Sequence, residues 1–431
     1  MGDGATINTA AIQRAVDACS AQGSGVVHFS AGRYLTGTIQ LKAGVTLQLD
    51  DQAVLLGSTR AEDYRNLDPF TDGSGYPMGY ALIVAVDAQH VGIEGSGVID
   101  GQGMDVARAQ GNFDARGKAL SADKTTYTVR PFLVRWVRCA NIVMRGVQLR
   151  NSGAWGVHFS QSKNITVENV TIRSAGLRNN DGIDVDSCAN VRIKGCDIDS
   201  GDDAICLKAT SPLPCRDFTA EDCKLKTRCN AIKLGTESLG DFEHIQVSNC
   251  QIRDIGMAGV ALYCVDGAHM QDIRISNLAI DGVTVPISIR LGARLKTFRA
   301  GDGAKPPGLL RDVSIKNLQV TGAQQIGMLI NGIPGHPVEN VSLENISIEL
   351  AGGGRTEDAQ VQLPENEAAY PEYNMFGKVM PAYGIYARHI RNIQLVNVTM
   401  RVAAPDGRPF AQFIDVEGLQ PRDFAARPHS F

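Results

Sequence analysis

Apolar residues recur along this chain with two different periods. Over residues 8–19 they fall at Ala11, Ile12, Ala15, Val16 and Cys19, the spacing of one helical face, with Thr9 placed to cap the start. Beyond that stretch the period drops to two, and residues 26–29, 34–36, 38–41 and 45–49 read as short strands. A helix ahead of such a run is expected to cover the open end of a stack of strands, because an uncovered sheet edge invites pairing with other chains. Residues 60–80 and 102–128, rich in Gly, Asp and Tyr, read as long loops.

From about residue 139 to 400 the alternation becomes a repeat. Eight short apolar runs open on Asn141, Asn164, Asn190, His244, Asp272, Asp312, Asn340 and Asn392. Five positions after the lead residue comes another polar or small one: Asn169, Gly195, Asn249, Asn277, Asn317, Asn345 and Asn397. The interval is roughly two dozen residues or slightly more, stretched where loops are inserted. A unit of two or three short strands is too small to bury its own apolar face. Stacked units share a continuous core, and Asn residues at equivalent turns form ladders. The pattern predicts an all-β, right-handed parallel β-helix, one domain over residues 1–431. Residues 1–60 form the N-terminal cap and first coils, and residues 352–384 an inserted loop.

Each repeat carries a further strand-like run. Successive side chains of a strand point to opposite faces, so when the apolar set turns inward the outward set reads His158, Asp184, Cys206 with Lys208, Lys233, Ala261 with Tyr263, Ser288 with Arg290, and Asn331. These are expected to line one face as adjacent rungs. Next to this row lie Asn179-Asn180-Asp181-Gly182-Ile183-Asp184 and Gly201-Asp202-Asp203. Stacking makes positions one repeat apart into neighbours, which gathers Asp181, Asp202 and Asp203 into one acidic patch. Adjacent Asp202 and Asp203 would face opposite ways in a regular strand, and Gly201 is expected to permit an irregular backbone that lets both reach the patch. Inverting cleavage of a sugar linkage uses such a set: one carboxyl protonates the leaving oxygen and another activates water. Carboxylates this close cannot all ionise freely, which favours a protonated acid among them. With Lys208, Lys233 and Arg290 around them, the face suits an anionic sugar polymer.

Composition narrows the alternatives. Charge is near balance, 42 Lys and Arg against 46 Asp and Glu, with no basic stripe, which argues against nucleic acid as partner. No apolar run approaches the length of a membrane span. Ten cysteines show no zinc-ligand spacing, so no metal is expected, and seven of them crowd between Cys188 and Cys250. Stacked, buried free thiols are the simpler reading, with a Cys215–Cys229 disulfide as the alternative. The expected protein is a monomer acting in the periplasm or outside the cell, its leader already removed.

The runs Asn180-Asp181-Gly182-Ile183-Asp184 and Gly201-Asp202-Asp203-Ala204-Ile205, together with Gly97-Val98-Ile99-Asp100-Gly101-Gln102-Gly103, resemble glycoside hydrolase family 28, the polygalacturonase-like pectin hydrolases. The resemblance implies a right-handed parallel β-helix and inverting hydrolysis without a cofactor. It implies Asp202 as general acid, with Asp181 and Asp203 positioning and deprotonating water. Asn180, Asp184, His158, Lys208, Lys233, Tyr263 and Arg290 are the expected substrate-binding residues. Two family motifs are missing. A Gly-His-Gly is expected near Arg228-Cys229-Asn230-Ala231, where no His stands, and an Arg-Ile-Lys near Ala261-Leu262-Tyr263. The segments Ile333-Pro334-Gly335-His336-Pro337 and Tyr370-Pro371-Glu372 resemble a divergent bacterial subgroup with exo-acting or rhamnogalacturonan-directed members. Arg290 is the expected replacement for the missing cations. Loops as long as 352–384 are usually functional, and this one is expected to close one end of the groove. A lyase or epimerase, and a non-catalytic carbohydrate-binding β-helix, are the competing readings, since the fold alone does not choose among them.

Overall fold

The computed structural model describes residues 2–73, 75, 77–111, 129–303 and 305–427. They divide into two compact units, Met1–Cys206 and Leu207–Phe431. Each is a stack of coils made from parallel strands, and the all-β class expected from the repeat holds.

In the first unit three columns of inward side chains run along the stack. One consists of Ile39, Ile83, Val134, Val157 and Ile183, each paired across one rung to the next. A second consists of Leu47, Ile93, Met144, Val167 and Ile193. A third consists of Leu55, Ile99, Leu149, Ile172 and Ile198. All are buried. The second unit repeats the scheme with Ile232, Val260, Ile287, Met328 and Ile385 in one column. Val247, Ile275, Ile315, Leu343 and Leu395 form another. Burying each such aliphatic side chain contributes about 1.5–3 kcal/mol, so like-on-like stacking of β-branched and Leu residues is the main source of stability.

The polar residues that punctuate the repeat make the corners. Every lead residue from Asn141 to Asn392, and every residue five positions on from Asn169 to Asn397, has a left-handed backbone, φ between 51° and 64°. Asn, Asp and Gly tolerate that conformation best because a short polar side chain, or none, relieves the clash. The Asn side chains then bond from rung to rung: Asn164 to Asn141 at 2.9 Å and Asn190 to Asn164 at 3.1 Å in the first unit. In the second, Asn277, Asn317, Asn345 and Asn397 form one continuous ladder on Asn249.

The N-terminal helix α1 spans Thr9–Ala21 and buries Ile12 and Val16. It covers the first strand edge directly. Gln13 Nε2 donates to the Gln40 carbonyl at 3.0 Å, and the Gln40 amide donates to Gln13 Oε1 at 2.9 Å. Thr9 does not cap this helix. Its hydroxyl oxygen accepts from the Gly37 amide at 2.8 Å, so it closes the same strand edge, while Asn8 holds the N-cap position with its Nδ2 turned to the Thr6 carbonyl at 2.6 Å.

The region 60–80 is not a loop throughout. Asn66–Thr71 pairs antiparallel with Pro77–Val86, and Phe70 packs on Phe132 and Trp155. Of the region 102–128, Gly103–Ala109 is a short helix, α2, and residues 112–128 lie outside the described ones. None of the ten cysteines is in a disulfide, so Cys215 and Cys229 are not bridged here. Burial is the main cause that raises the Cys139 thiol to about 11, which keeps it protonated and inert. Among the described residues no helix is long and apolar enough to cross a membrane.

Asn317 sits at φ 55° and bonds both Asn277 and Asn345. Asn317→Ala loses the ladder bonds and puts a methyl group in a left-handed position, an expected loss of about 2–3 kcal/mol in urea unfolding. Asn317→Gly keeps the backbone and loses only the ladder, so it is expected to lose less. Equal losses would refute the conformational contribution.

Candidate active site

The acidic patch in the first unit is built by two turns that abut. Asn179 has φ 52°, which bends the chain out of the strand Thr171–Ser174. Asn180 then clasps the turn: its Nδ2 donates to the carbonyls of Ser152 at 2.8 Å and Ala154 at 2.9 Å, and its Oδ1 accepts from the Leu177 amide. The Asn180 carbonyl takes the amides of Gly201 at 3.0 Å and Asp202 at 3.2 Å from the next turn. Asn180 therefore spends its polar atoms on holding both turns, not on a ligand. Arg130, which pattern reading did not single out, secures the outside by donating to Asn179 Oδ1 at 3.0 Å and to the Arg178 carbonyl.

Gly201 matters for closeness rather than for an unusual backbone angle. It is absent from the left-handed glycines, but a Cβ there would stand 2.8 Å from the Leu177 carbonyl oxygen. Gly182 is under the same constraint, with a Cβ only 2.4 Å from the Ala204 oxygen. The strand Asp197–Ser200 ends before this turn and Ile205–Ala209 begins after it. Asp202 and Asp203 lie in neither, so strand alternation does not separate them. Ser200 Oγ donates to the Asp202 carbonyl at 2.7 Å, and Asp202 Oδ1 accepts the Asp203 amide at 3.0 Å.

The three expected carboxylates meet. Asp181 and Asp203 bring oxygens within 4.8 Å of each other, and so do Asp202 and Asp203. Asp181 and Asp203 are each 2 % exposed, whereas Asp202 is half-buried. Cys206 Sγ lies within the same 4.8 Å of Asp181 and Asp203. Two hard carboxylates with one soft thiol suit no single metal well.

Arg135, His158 and Asp184 occupy one column of the first unit, in the register that alternation gives. His158 is only 1 % exposed. Phe70, Phe132 and Trp155 enclose its ring at 5.0–5.5 Å, its Nδ1 accepts from Arg135 Nε at 3.3 Å, and its Nε2 is 3.5 Å from Asp186. The strand pair at 66–86 closes over it, which explains why a face expected to be open holds a buried imidazole. Burial depresses the Arg135 guanidinium, with Asp68 opposing.

In the second unit the outward columns also follow alternation. Lys233, Ala261, Ser288 and Leu329 form one, and Tyr263, Arg290, Asn331 and Arg388 the other. The inserted loop covers them. It contains two short 3₁₀ turns, Thr356–Gln360 and Tyr373–Phe376. Glu372, which pattern reading did not assign to the site, is its central contact. Its carboxylate takes Lys233 Nζ at 3.0 Å, Asn230 Nδ2 at 3.3 Å and the Tyr263 hydroxyl at 3.4 Å. Burial, then Glu372, pushes the Tyr263 hydroxyl well up, so it remains a donor. Lys208 is buried with Nζ 3.9 Å from Glu237.

Arg290 differs from expectation. It is 2 % exposed, donates to the carbonyls of Gly332 at 2.9 Å, Glu365 at 2.7 Å and Asn366 at 3.2 Å, and stands over the Phe376 ring. Arg388 does the same to Leu363 and Pro364. Arg290 anchors the loop, and burial and then Arg388 push its guanidinium down to about 10. Arg290→Ala is therefore expected to cost roughly 1–3 kcal/mol of stability and to hasten proteolysis within 352–384. Unchanged melting and cleavage would show that the loop is held elsewhere.

A family model, Glycosyl hydrolases family 28, matches residues 19–369. A probable polygalacturonase of Vitis vinifera is 29% identical over 387 residues, covering 81% of this chain and 73% of the relative. The exo-poly-alpha-D-galacturonosidase of Dickeya chrysanthemi is 25% identical over 374 residues, 74% of this chain and 60% of its own length. The structure of the Yersinia enterocolitica family 28 exopolygalacturonase superposes with a TM-score of 0.71 over 99% of this chain and 76% of that one, at 20% identity, a likeness of fold alone. With the family match spanning most of the chain and the acidic turns falling inside it, this protein belongs to glycosyl hydrolases family 28 and is a glycoside hydrolase.

Proposed function

We propose that the protein hydrolyses α-glycosidic bonds of a galacturonic-acid-containing polysaccharide or oligosaccharide, of the pectin or rhamnogalacturonan type, with inversion and from a chain end. The observation that carries this reading is the convergence of Asp181, Asp202 and Asp203 on two interlocked turns, with oxygens at most 4.8 Å apart from neighbour to neighbour. Asp202 is the general acid. It is the most exposed of the three, the position from which a carboxyl can reach a bulky leaving oxygen. Asp181 and Asp203 orient water and take its proton. Mutual repulsion among neighbouring carboxylates favours a protonated acid within the group. This chemistry asks for no metal or organic cofactor, and the substrate class fits action outside the cytoplasm.

The seated loop supports attack at a chain end. Arg290 and Arg388 hold residues 363–366 by their carbonyls, and Phe376 and Met380 share a buried cluster with Val285, Ile326, Leu329 and Tyr386. A loop seated in this way keeps that part of the second unit's sheet face covered, which supports the chain-end reading. The eliminative alternative needs an uncharged Lys as base, and Lys233 instead lies 3.0 Å from a carboxylate, a setting that suits an ammonium.

Asp202→Asn removes the acid proton with little change of shape, and is expected to lower turnover by about 10²–10⁴-fold at unchanged melting temperature. More than a tenth of the parent rate would refute the assigned role. Products are expected to be short reducing sugars released without a rapid fall in viscosity, and without the ultraviolet absorbance of unsaturated uronates. A strong chelator is expected to leave the rate unchanged, and loss of activity restored by calcium would favour elimination.

A further inference from the structure

Lys233, Asn230 and Tyr263 aim an ammonium, an amide and a phenol at one point in the second unit, and that point is occupied by the Glu372 carboxylate. Three converging donors, one of them charged, are what a protein builds to bind a carboxylate. Here the anion comes from the chain itself, 139 positions away from Lys233 in sequence. Lys233 is 3 % exposed, Glu372 8 % and Tyr263 fully buried. Tyr370, two residues before Glu372, lays its ring 5.8 Å from Lys233 Nζ and 5.8 Å from the Arg294 guanidinium. Arg294 is already paired with Asp266. Asp266 in turn takes the Ser238 amide at 3.2 Å, so this cation too is committed to a carboxylate of the chain.

A bound uronate would have to displace Glu372 to reach Lys233. Displacement is costly because the loop that carries Glu372 is anchored at both sides of it. Arg290 and Arg388 grip residues 363–366 before it, and Phe376 and Met380 are buried after it. Leaving Glu372 in place beside an incoming carboxylate is also unfavourable, since two buried anions would share one ammonium.

We propose that Glu372 is a specificity-determining residue: it fills a carboxylate pocket with the chain's own anion, so that Lys233, Asn230 and Tyr263 are closed to the carboxylate of a uronate. This inference deepens the hydrolase reading and rests on it only for the kinetic measurement.

The binding measurement stands apart from catalysis. In the Asp202→Asn background, titration calorimetry with digalacturonate compares the Glu372 parent with Glu372→Gln. The expected result is at least a tenfold gain in affinity for digalacturonate, with binding of a neutral disaccharide unchanged or weaker. Adding Lys233→Met to Glu372→Gln is expected to abolish the gain while the melting temperature stays near that of the parent. No gain, or a gain that survives Lys233→Met, overturns the proposal. Should Glu372→Gln fold poorly, Glu372→Ala is tested by thermal shift with acetate. Stabilisation of this variant but not of the parent supports an emptied carboxylate pocket, and equal response overturns it. In the otherwise native enzyme, Glu372→Gln is expected to shift kcat/KM towards uniformly charged chains. If no glycan is cleaved by the parent, the hydrolase reading fails while the calorimetry still decides the role of Glu372.

Discussion

Parallel pairing at a fixed register is the constraint on which the rest of this structure depends. Each strand places its inward residues directly over those of the rung before, as Ile39, Ile83, Val134, Val157 and Ile183 show in the first unit. A slip of one residue would turn the whole set outward. Register is held at the corners, where a left-handed residue fixes the turn and an Asn side chain bonds the equivalent Asn one rung away. Apolar stacking supplies the energy, and the ladders supply the alignment that lets it accumulate.

The acidic site exploits an interruption of that register. Between Ser200 and Ile205 the chain leaves the strand pattern, and the turn it makes rests on the carbonyl of Asn180 from the preceding coil. Rigid rungs on either side hold the interruption in place. The glycines there serve proximity, since any Cβ at Gly182 or Gly201 would strike a carbonyl oxygen of the facing turn. Backbone contacts of this kind fix where the carboxylates stand, and Asp202 adds a side-chain contact of its own by accepting the Asp203 amide at Oδ1.

Much of this was legible in the sequence because it is local or periodic. The lead Asn and Asp residues, the ladders, the helix over 9–21 and the outward columns all follow from short-range preferences repeated at a constant interval. The carboxylate cluster was legible for the same reason, Asp181 and Asp202 being one repeat apart. What escaped depends on partners far along the chain. Thr9 looks like a helix cap until Gly37, 28 positions on, claims its hydroxyl. Phe70 lies in a stretch that reads as loop, yet it pairs in a hairpin and roofs His158. Arg290 falls on the outward face as alternation demands, and only the placement of residues 365 and 366 reveals that its donors are used.

The division between legible and illegible parts matches a division of labour. Rungs determine which side chains share a face and are difficult to alter, because a change in one strand propagates through the stack. The inserted loop contributes Glu372, Tyr370 and Phe376 without belonging to any rung, so its contacts can change while the columns beneath stay intact. A buried ion pair such as Lys233–Glu372 adds little net stability once the desolvation of both charges is counted, whereas either charge alone would be strongly unfavourable. The pair is therefore hard to justify as a fastening for a loop already held by Arg290, Arg388 and an apolar cluster. Its physical consequence lies in what it denies: an ammonium on the sheet face is closed to other anions for as long as the loop stays seated.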